Sequence, residues 1–451
     1  MMKETTENTQ NRAIQLTAGL LIAFALAFFF YYGVNTINDP VFSIDFLPYH
    51  LAGRLVATGN VESLTDYAKT GGFGATSGPF LDYFHQYFFP DSPSATHWIY
   101  LPGYAWIFRP LADLEFPLAA RVWLIVNAIL SLLSIGLLWS ARPWTGDKHL
   151  ATWRAAWLVF LGMTFQPILD NMWHGNISAL IFFVFGLSYW LLRRDHQFLA
   201  GLALGLIVLL KFYPALFILY FAWRRNWTLV AGALLGCLAV FAVSLLTAGW
   251  AGNLTYLQMV WAELRGGGIP AFNNQSISGF LLHAFTQGDV NAWQDIEAPF
   301  WLAGLRIALV LAFVGAVGWA MRRRPENTAN PATAQDLDLT LVIGVMLLAS
   351  PITWYHYYVW LLLPLVVLFD HLLASPTTNT RHIVLLAVGY GLVVAQGIVV
   401  IRPFAAQAIQ EVWLLRVLLS QSFFGAVVLM LLILHLRFET SRIVRQAANG
   451  C

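Results

Sequence analysis

Apolar runs of about 20 residues recur along this chain, each ended by Arg or Lys or by a polar stretch rich in Pro and Gly. Lipid offers the backbone no hydrogen-bond partners, so a run of that length crosses the roughly 30 Å hydrocarbon core only as a helix. The pattern therefore predicts an all-α polytopic membrane protein. Composition agrees, with 59% hydrophobic and 11% charged residues, where soluble domains carry about 25% charged. A net charge of +2 without any long block of like charges gives no support to nucleic-acid binding. Cys237 lies in an apolar run and Cys451 ends the chain, in no metal-type spacing, so redox chemistry and a disulfide framework gain no support either.

Lys and Arg collect on the cytoplasmic side of membrane proteins, which orients the runs. Residues 14–32 make the first crossing and lack a small-residue cleavage site, so they read as a retained span. Further crossings fall at 116–140, 155–169, 177–192, 227–247, 300–321, 339–350, 357–373, 383–401 and 412–436. For Arg193-Arg194 and Arg224-Arg225 both to face the cytoplasm, residues 195–223 must form a hairpin of two short helices with Lys211-Phe212-Tyr213-Pro214 at its outer tip. The expectation is about twelve spans in the cytoplasmic membrane, with both termini inside. Large outer loops cover 36–114 and 248–299, and residues 98–111, too short and too Pro-rich to span, are expected to lie as a helix in the interface. After Arg322-Arg323-Arg324 a polar linker through Asp338 is the one plausible module boundary, dividing 1–321 from 322–451.

On this topology the groups able to do chemistry collect at the outer boundary. Asp45 follows the first span, where a carboxylate stays ionised and can act as a base; the competing reading is an interfacial Asp that caps the next helix. Lys211 sits between an apolar helix and a Pro, where its ammonium needs an anionic partner such as a lipid-linked phosphate, unless it snorkels to the surface. His356, in the aromatic stretch 350–358, and Arg54 are further candidates for phosphate binding. Tyr49, His174, Asn176, Asn274, Gln275 and Trp354 offer hydroxyl, imidazole, amide and aromatic groups suited to sugars, although amide-rich loops are common. His85 and His97 with Asp82 match no strong metal-ligand pattern, and no metal site is assigned.

Taken in order, these segments resemble glycosyltransferase family 87, a family of the C-type superfamily that uses polyprenyl-phosphate sugars. The likeness rests on Asp45-Phe46 with Tyr49 and Ala52; Tyr100 and Pro102 before Phe108-Arg109-Pro110-Leu111; and Gly175-Asn176 with Ser178. It continues through Gly201, Gly205, Lys211 and Pro214 to Asn274-Gln275-Ser276, Ser350-Pro351-Ile352-Thr353-Trp354 and His356. Tyr100-Leu101-Pro102, Gly175-Asn176 and Tyr355 depart from the family's usual Tyr-Pro-Pro, Gly-Gln and acidic residue before the His, which weakens transfer of sugar specificity. The resemblance implies a C-type glycosyltransferase helical bundle; with the linker as boundary, residues 1–321 are expected to carry catalysis and 322–451 to complete the bundle. It also implies an Asp base on the first outer loop and a polyprenyl-phosphate-linked donor, most readily mannose.

The expected reaction moves that sugar to a hydroxyl of a glycolipid or glycan acceptor on the extracytoplasmic face, with inversion. Asp45 takes the acceptor proton while Lys211, with Arg54 or His356, neutralises the leaving phosphate. That phosphate is already anionic, so no metal is obligatory. The alternative is a transporter or flippase of lipid-linked sugars, which such a span count also suits. Transporters place polar sites near the midplane and often show paired halves, whereas here the polar groups lie at one boundary and no repeat is evident.

Overall fold

The computed structural model describes residues 2–39, 42–66, 70–71, 74–142, 148–264, 268–291, 293, 295–328, 330–374, 379–395 and 411–449. Among them the α-helices are, in chain order, α1 (Met2–Ile37), α2 (Phe46–Thr58), α3 (Pro79–Tyr87), α4 (Phe116–Ala141), α5 (Lys148–Thr164), α6 (Gln166–His174), α7 (Ser178–Arg193), α8 (Gln197–Val208), α9 (Ala215–Trp223), α10 (Trp227–Leu264), α11 (Ile277–Phe285), α12 (Phe300–Ala320), α13 (Pro331–Leu348), α14 (Leu362–Ala374), α15 (Thr380–Val394), α16 (Trp413–Leu418) and α17 (Gln421–Asn449). The 3-10 segments Pro102–Leu111 and Tyr355–Leu361 run between helices, and β1 (Thr70–Gly71), β2 (Gly74–Ala75) and β3 (Ala95–Thr96) make a small antiparallel sheet in the order β1-β2-β3.

Among the described residues, seven helical segments are long and apolar enough to cross a membrane: Ala13–Ile37, Phe116–Ala141, Trp227–Trp261, Phe300–Ala320, Pro331–Leu348, Tyr355–Leu373 and Gln421–Thr440. Ser178–Arg193, Gln197–Val208 and Thr380–Val394 are apolar but shorter. In α1 and α12 only 11% of the most apolar window is buried, so Leu20, Phe24, Phe30, Ile307 and Leu311 face outward. Apolar faces of that extent suit hydrocarbon and not water.

Four sequence expectations change. Residues 155–169 are not one span, because the chain breaks at Phe165–Pro167 between α5 and α6. The span expected over 227–247 runs on as α10 to Leu264, with non-helical backbone at Gly249; there Asn253 mends the break by donating to the carbonyls of Ser244 and Gly249. Residues 102–111 form a 3-10 segment with Tyr104, Ala105 and Phe108 buried, tied to α10 by the Gly103 N–H donating 3.0 Å to Ser244 Oγ. The polar linker is largely helix, since α13 starts at Pro331 and buries Asp336 and Asp338. The two short helices expected within 195–223 are present as α8 and α9, broken at 209–214.

Their placement follows from glycine. A Cβ on Gly201 would collide with the Leu229 carbonyl, and one on Gly205 with that of Ala233. Without side chains there, α8 lies backbone to backbone on α10, which fixes where its C-terminal end delivers Lys211.

Buried ion pairs bind the helix ends farthest from that tip. Asp370 on α14 accepts from Arg154 Nε at 2.6 Å and Arg142 Nε at 2.9 Å, and Asp336 accepts from Arg142 and, at 2.7 Å, from the Tyr189 hydroxyl. Asp338 accepts from Arg437 Nε at 2.7 Å, from Arg224, and at 3.1 Å from the Tyr220 hydroxyl. These contacts join α13 to α4, α7, α9 and α17. Each carboxylate is fully buried or nearly so, yet each meets at least one guanidinium, the condition under which buried charge is tolerated.

Candidate active site

The centre of the site is a turn held from both sides. Gly175 ends α6 in the left-handed region with φ 66°, which favours glycine. A Cβ there would also press within 3.0 Å of Ser43 and Phe46. With that space free, the turn docks on the start of α2. Ser43 N–H donates 2.7 Å to the Trp173 carbonyl, Asp45 N–H donates 2.9 Å to that of His174, and Trp123 Nε1 donates 2.8 Å to that of Gly175.

Asp45 occupies the N-cap position of α2, but its side chain makes no capping hydrogen bond. Oδ2 instead accepts 2.9 Å from Asn176 Nδ2, and Oδ1 receives no hydrogen bond from the described residues. The helix-cap reading is thus replaced by a tertiary contact. Asn176 is oriented by its other end, where Oδ1 accepts from Ser178 N–H at 3.1 Å and Ser178 Oγ at 2.8 Å. The amide NH2 must therefore face Asp45, and it also reaches the Tyr49 hydroxyl at 3.3 Å. Tyr49 pairs with Tyr100 at 3.0 Å between hydroxyls. Burial first and the nearby Asp45 charge second push the Tyr49 phenol well above its usual range, and burial does the same to Tyr100, so both remain hydrogen-bond donors.

Lys211 arrives on the far side of the same turn. Its Nζ lies 3.4 Å from Ser178 Oγ and 3.5 Å from the centroid of the Tyr357 ring. The residue is 7% exposed, and no carboxylate of the described residues lies within ion-pair distance. Burial pushes its ammonium well below the usual lysine range, and the field of Asp45 opposes that shift. An anion arriving here would meet a cation with an incomplete set of partners.

Next to this pair, α6 carries Asp170 and His174 four residues apart, on one face of the helix. His174 Nδ1 is 2.9 Å from the Asp170 carbonyl oxygen and 3.4 Å from Asp170 Oδ2. His356 Nδ1 lies 3.7 Å from the same Oδ2. Burial would raise the Asp170 carboxyl, but His174 and His356 outweigh it and hold the group below the usual carboxylate range. Conversely, burial would lower His174, but Asp170 overrides it and raises the imidazole to about 9. Among the described residues, Asp170, His174 and His356 are the group able to hold a metal ion.

The structure therefore brings Asp45, Tyr49, His174, Asn176, Lys211 and His356 into one cluster. Other candidates lie apart from it. Arg54 is exposed on α2 with its guanidinium 5.9 Å from the Tyr83 ring centroid. Nine residues of helix place it about 13 Å along the axis from Asp45. Asn274 Nδ2 donates 3.0 Å to the Ile269 carbonyl, and its Oδ1 accepts from Ser276 Oγ and Thr353 N–H. Gln275 Nε2 donates to the carbonyls of Phe272 and Leu419, both at 2.8 Å, and its Oε1 accepts from Phe423 N–H. Both amides are consumed within the chain, Asn274 on the segment before His356 and Gln275 on residues 272, 419 and 423, and a main-chain bridge pairs Asn274 with half-buried Trp354.

Sequence reasoning did not place Ser178, Tyr100 or Tyr357 among the site residues, and it counted Asp170 at the outer boundary without giving it a role beyond that of the next carboxylate after Asp45. The spacing of Asp170 and His174 was the one available local signal. The partner that completes their group, His356, comes from a distant segment that no local pattern announces.

With this geometry in view, the sequence comparisons are specific. Glycosyltransferase family 87 matches residues 98–351. A polyprenol-phosphate-mannose-dependent alpha-(1-2)-phosphatidylinositol mannoside mannosyltransferase of Mycobacterium tuberculosis is 30% identical over 276 residues, covering 58% of this chain and 60% of that protein. The polyprenol-phosphate-mannose-dependent alpha-(1-2)-phosphatidylinositol pentamannoside mannosyltransferase of Mycolicibacterium smegmatis is 28% identical over 355 residues, covering 77% and 78%. An alpha-(1->3)-arabinofuranosyltransferase of Corynebacterium glutamicum is 24% identical over 276 residues, covering 60% and 59%. The match thus spans about six tenths of the first of these relatives. No solved structure matches the chain.

Proposed function

Because the chain belongs to glycosyltransferase family 87, we propose that it is a polyprenyl-phosphate-sugar-dependent glycosyltransferase in which Asp45 is the general base. The sugar is most readily mannose, the donor named for the mycobacterial relatives. The acceptor is a hydroxyl of a glycolipid or glycan. One observation carries this reading: Asp45 and Lys211 flank a single turn, Asn176 holding the carboxylate and Ser178 touching the ammonium.

The chemistry follows from that arrangement. The acceptor hydroxyl hydrogen-bonds to Asp45 Oδ1 and loses its proton to it as its oxygen attacks the anomeric carbon. Polyprenyl phosphate leaves from the opposite side of the sugar, and its charge falls to Lys211 and His356. A single displacement of this kind inverts the anomeric configuration, so a β-linked mannosyl phosphate gives an α-mannoside. Tyr49, Tyr100 and Asn176 supply the donors nearest the bound sugar. The leaving phosphate is already anionic, so the displacement does not by itself demand a metal.

The proposed setting is a bundle of about twelve spans, with the shorter apolar helices completing those long enough on their own. Arg142, Arg154, Arg193, Arg224 and Arg437 gather at the other end of the bundle. By the positive-inside rule that end is cytoplasmic, which turns the cluster to the extracytoplasmic side of the cytoplasmic membrane.

The test is transfer from synthetic polyprenyl-phosphate mannose by purified protein, with the product's anomeric configuration read by NMR. Expected are an α-product from the wild type and loss of transfer in Asp45→Asn. A well-folded Asp45→Asn protein with full activity would sink the base assignment. Flipping of a labelled lipid without transfer would favour a transporter.

A further inference from the structure

His356 poses a problem that the transfer reaction alone leaves open. It is 3% exposed, and among the described residues neither ring nitrogen meets a partner within hydrogen-bonding distance. A neutral imidazole carries one donor and one acceptor, and buried polar atoms without partners are rare and destabilising. The ring is nevertheless fixed, 5.5 Å from the His174 ring and 4.8 Å from that of Tyr357, with Nδ1 turned to the carboxylate of Asp170.

That carboxylate is the common neighbour of two imidazoles. One ligand atom from each of Asp170, His174 and His356 lies within 4.8 Å of the other two. Asp170 Oδ2 is 3.4 Å from His174 Nδ1 and 3.7 Å from His356 Nδ1. Two atoms each about 2.1 Å from a tetrahedral ion stand about 3.4 Å apart, so a small rotation of the side chains brings the set to bonding distance. Two imidazoles and one carboxylate suit borderline ions such as zinc, while calcium and magnesium favour all-oxygen sites. Three protein ligands also leave one position open, as in catalytic and not structural zinc sites.

We propose that Asp170, His174 and His356 form a site for one divalent transition-metal ion, zinc foremost, whose open position takes a phosphate oxygen of the lipid-linked donor. The ion gives the orphaned ring nitrogen of His356 its partner and adds positive charge beside Lys211. Only the phosphate clause rests on the transferase reading, since ion binding is measured without substrate.

Full-length protein in detergent is stripped with a chelator and titrated with cobalt(II). The expected result is one equivalent bound with the visible absorption of a nitrogen-ligated ion, displaced by one equivalent of zinc. Calorimetry of zinc binding is expected to show a single site of one equivalent, a readout that needs no variant. His356→Gln and His174→Gln are expected to weaken cobalt binding at least about tenfold, while Asp45→Asn binds it as the wild type does. Less than a tenth of an equivalent bound, or binding unchanged in folded His356→Gln, would overturn the site. Bound cobalt without glycosyl transfer would refute the transferase reading and leave the ion site standing; transfer by ion-free protein that takes up no cobalt would do the reverse.

Discussion

The buried charges of this protein form two groups at opposite ends of α4. Near its start, Trp123 supports the turn between Asp45 and Lys211; just past its end, Arg142 joins the ion pairs of Asp336 and Asp370, about 28 Å away along the helix. The Arg-rich end is closed. Asp370 meets two guanidiniums, and Asp338 meets two with a tyrosine hydroxyl besides. The other end is open: among the described residues Asp45 has one amide, Lys211 one hydroxyl and a ring face, and His356 no hydrogen bond. Ionisable residues at membrane depth are commonly read as functional. Here the Arg-rich group acts as fasteners, and what separates the two groups is that each of its carboxylates meets a guanidinium, whereas among the described residues Asp45 meets none.

The contrast predicts opposite responses to removing a charge. Asp45→Asn is the largest effect expected, a loss of about 10²–10⁴-fold in the transfer rate, the usual contribution of a positioned base. Its thermal unfolding midpoint should stay at the wild-type value, because the amide keeps the contact with Asn176. At the closed end, Asp338→Asn leaves two buried guanidiniums facing a neutral amide and is expected to lower stability by about 3–5 kcal/mol, read by thermal or chemical unfolding in detergent. If instead that variant keeps its stability but loses transfer, the ion pairs belong to function and the contrast fails.

Lys211→Met sharpens the point at a smaller scale. The wild-type ammonium is buried without a carboxylate partner, so an apolar side chain of similar length should raise stability by about 1 kcal/mol, a trade-off common at sites shaped for a ligand. Donor binding should weaken more than acceptor binding, measured as a selective rise in the donor KM. A fall in stability would place Lys211 among the fasteners.

How much of this was legible beforehand differs between the two ends as well. Apolar runs and Arg punctuation announced the helices and where they stop, since both depend on residues close in sequence. The same local logic identified Asp45 and Lys211 as charges in awkward places, and it anticipated the break at 209–214. It read Asp336 and Asp338 as polar linker, because their partners Arg142, Arg224 and Arg437 stand far off in the chain. For the same reason Asn274 and Gln275 looked like sugar ligands: a surface amide and one bonded to distant carbonyls are identical in sequence. The Asp170 group required α6 and the segment Tyr355–Leu361 to meet, which only packing decides.

Arg54 gives the smallest effect and the most direct check on where the open region stops. It shares α2 with Asp45 and carries a full charge, so sequence makes it as good a phosphate ligand as Lys211. Its guanidinium is exposed and rests 5.9 Å from the Tyr83 ring centroid, more than two turns from the carboxylate. An exposed contact of this kind contributes little, so Arg54→Ala should change stability by less than about 0.5 kcal/mol. The donor KM should move by less than about threefold, since a charge about 13 Å away on the solvent side is largely screened. A donor KM that rises in Arg54→Ala as far as in Lys211→Met would mean that the phosphate lies toward Tyr83. The open region would then extend along α2, and Lys211 would answer to another part of the substrate.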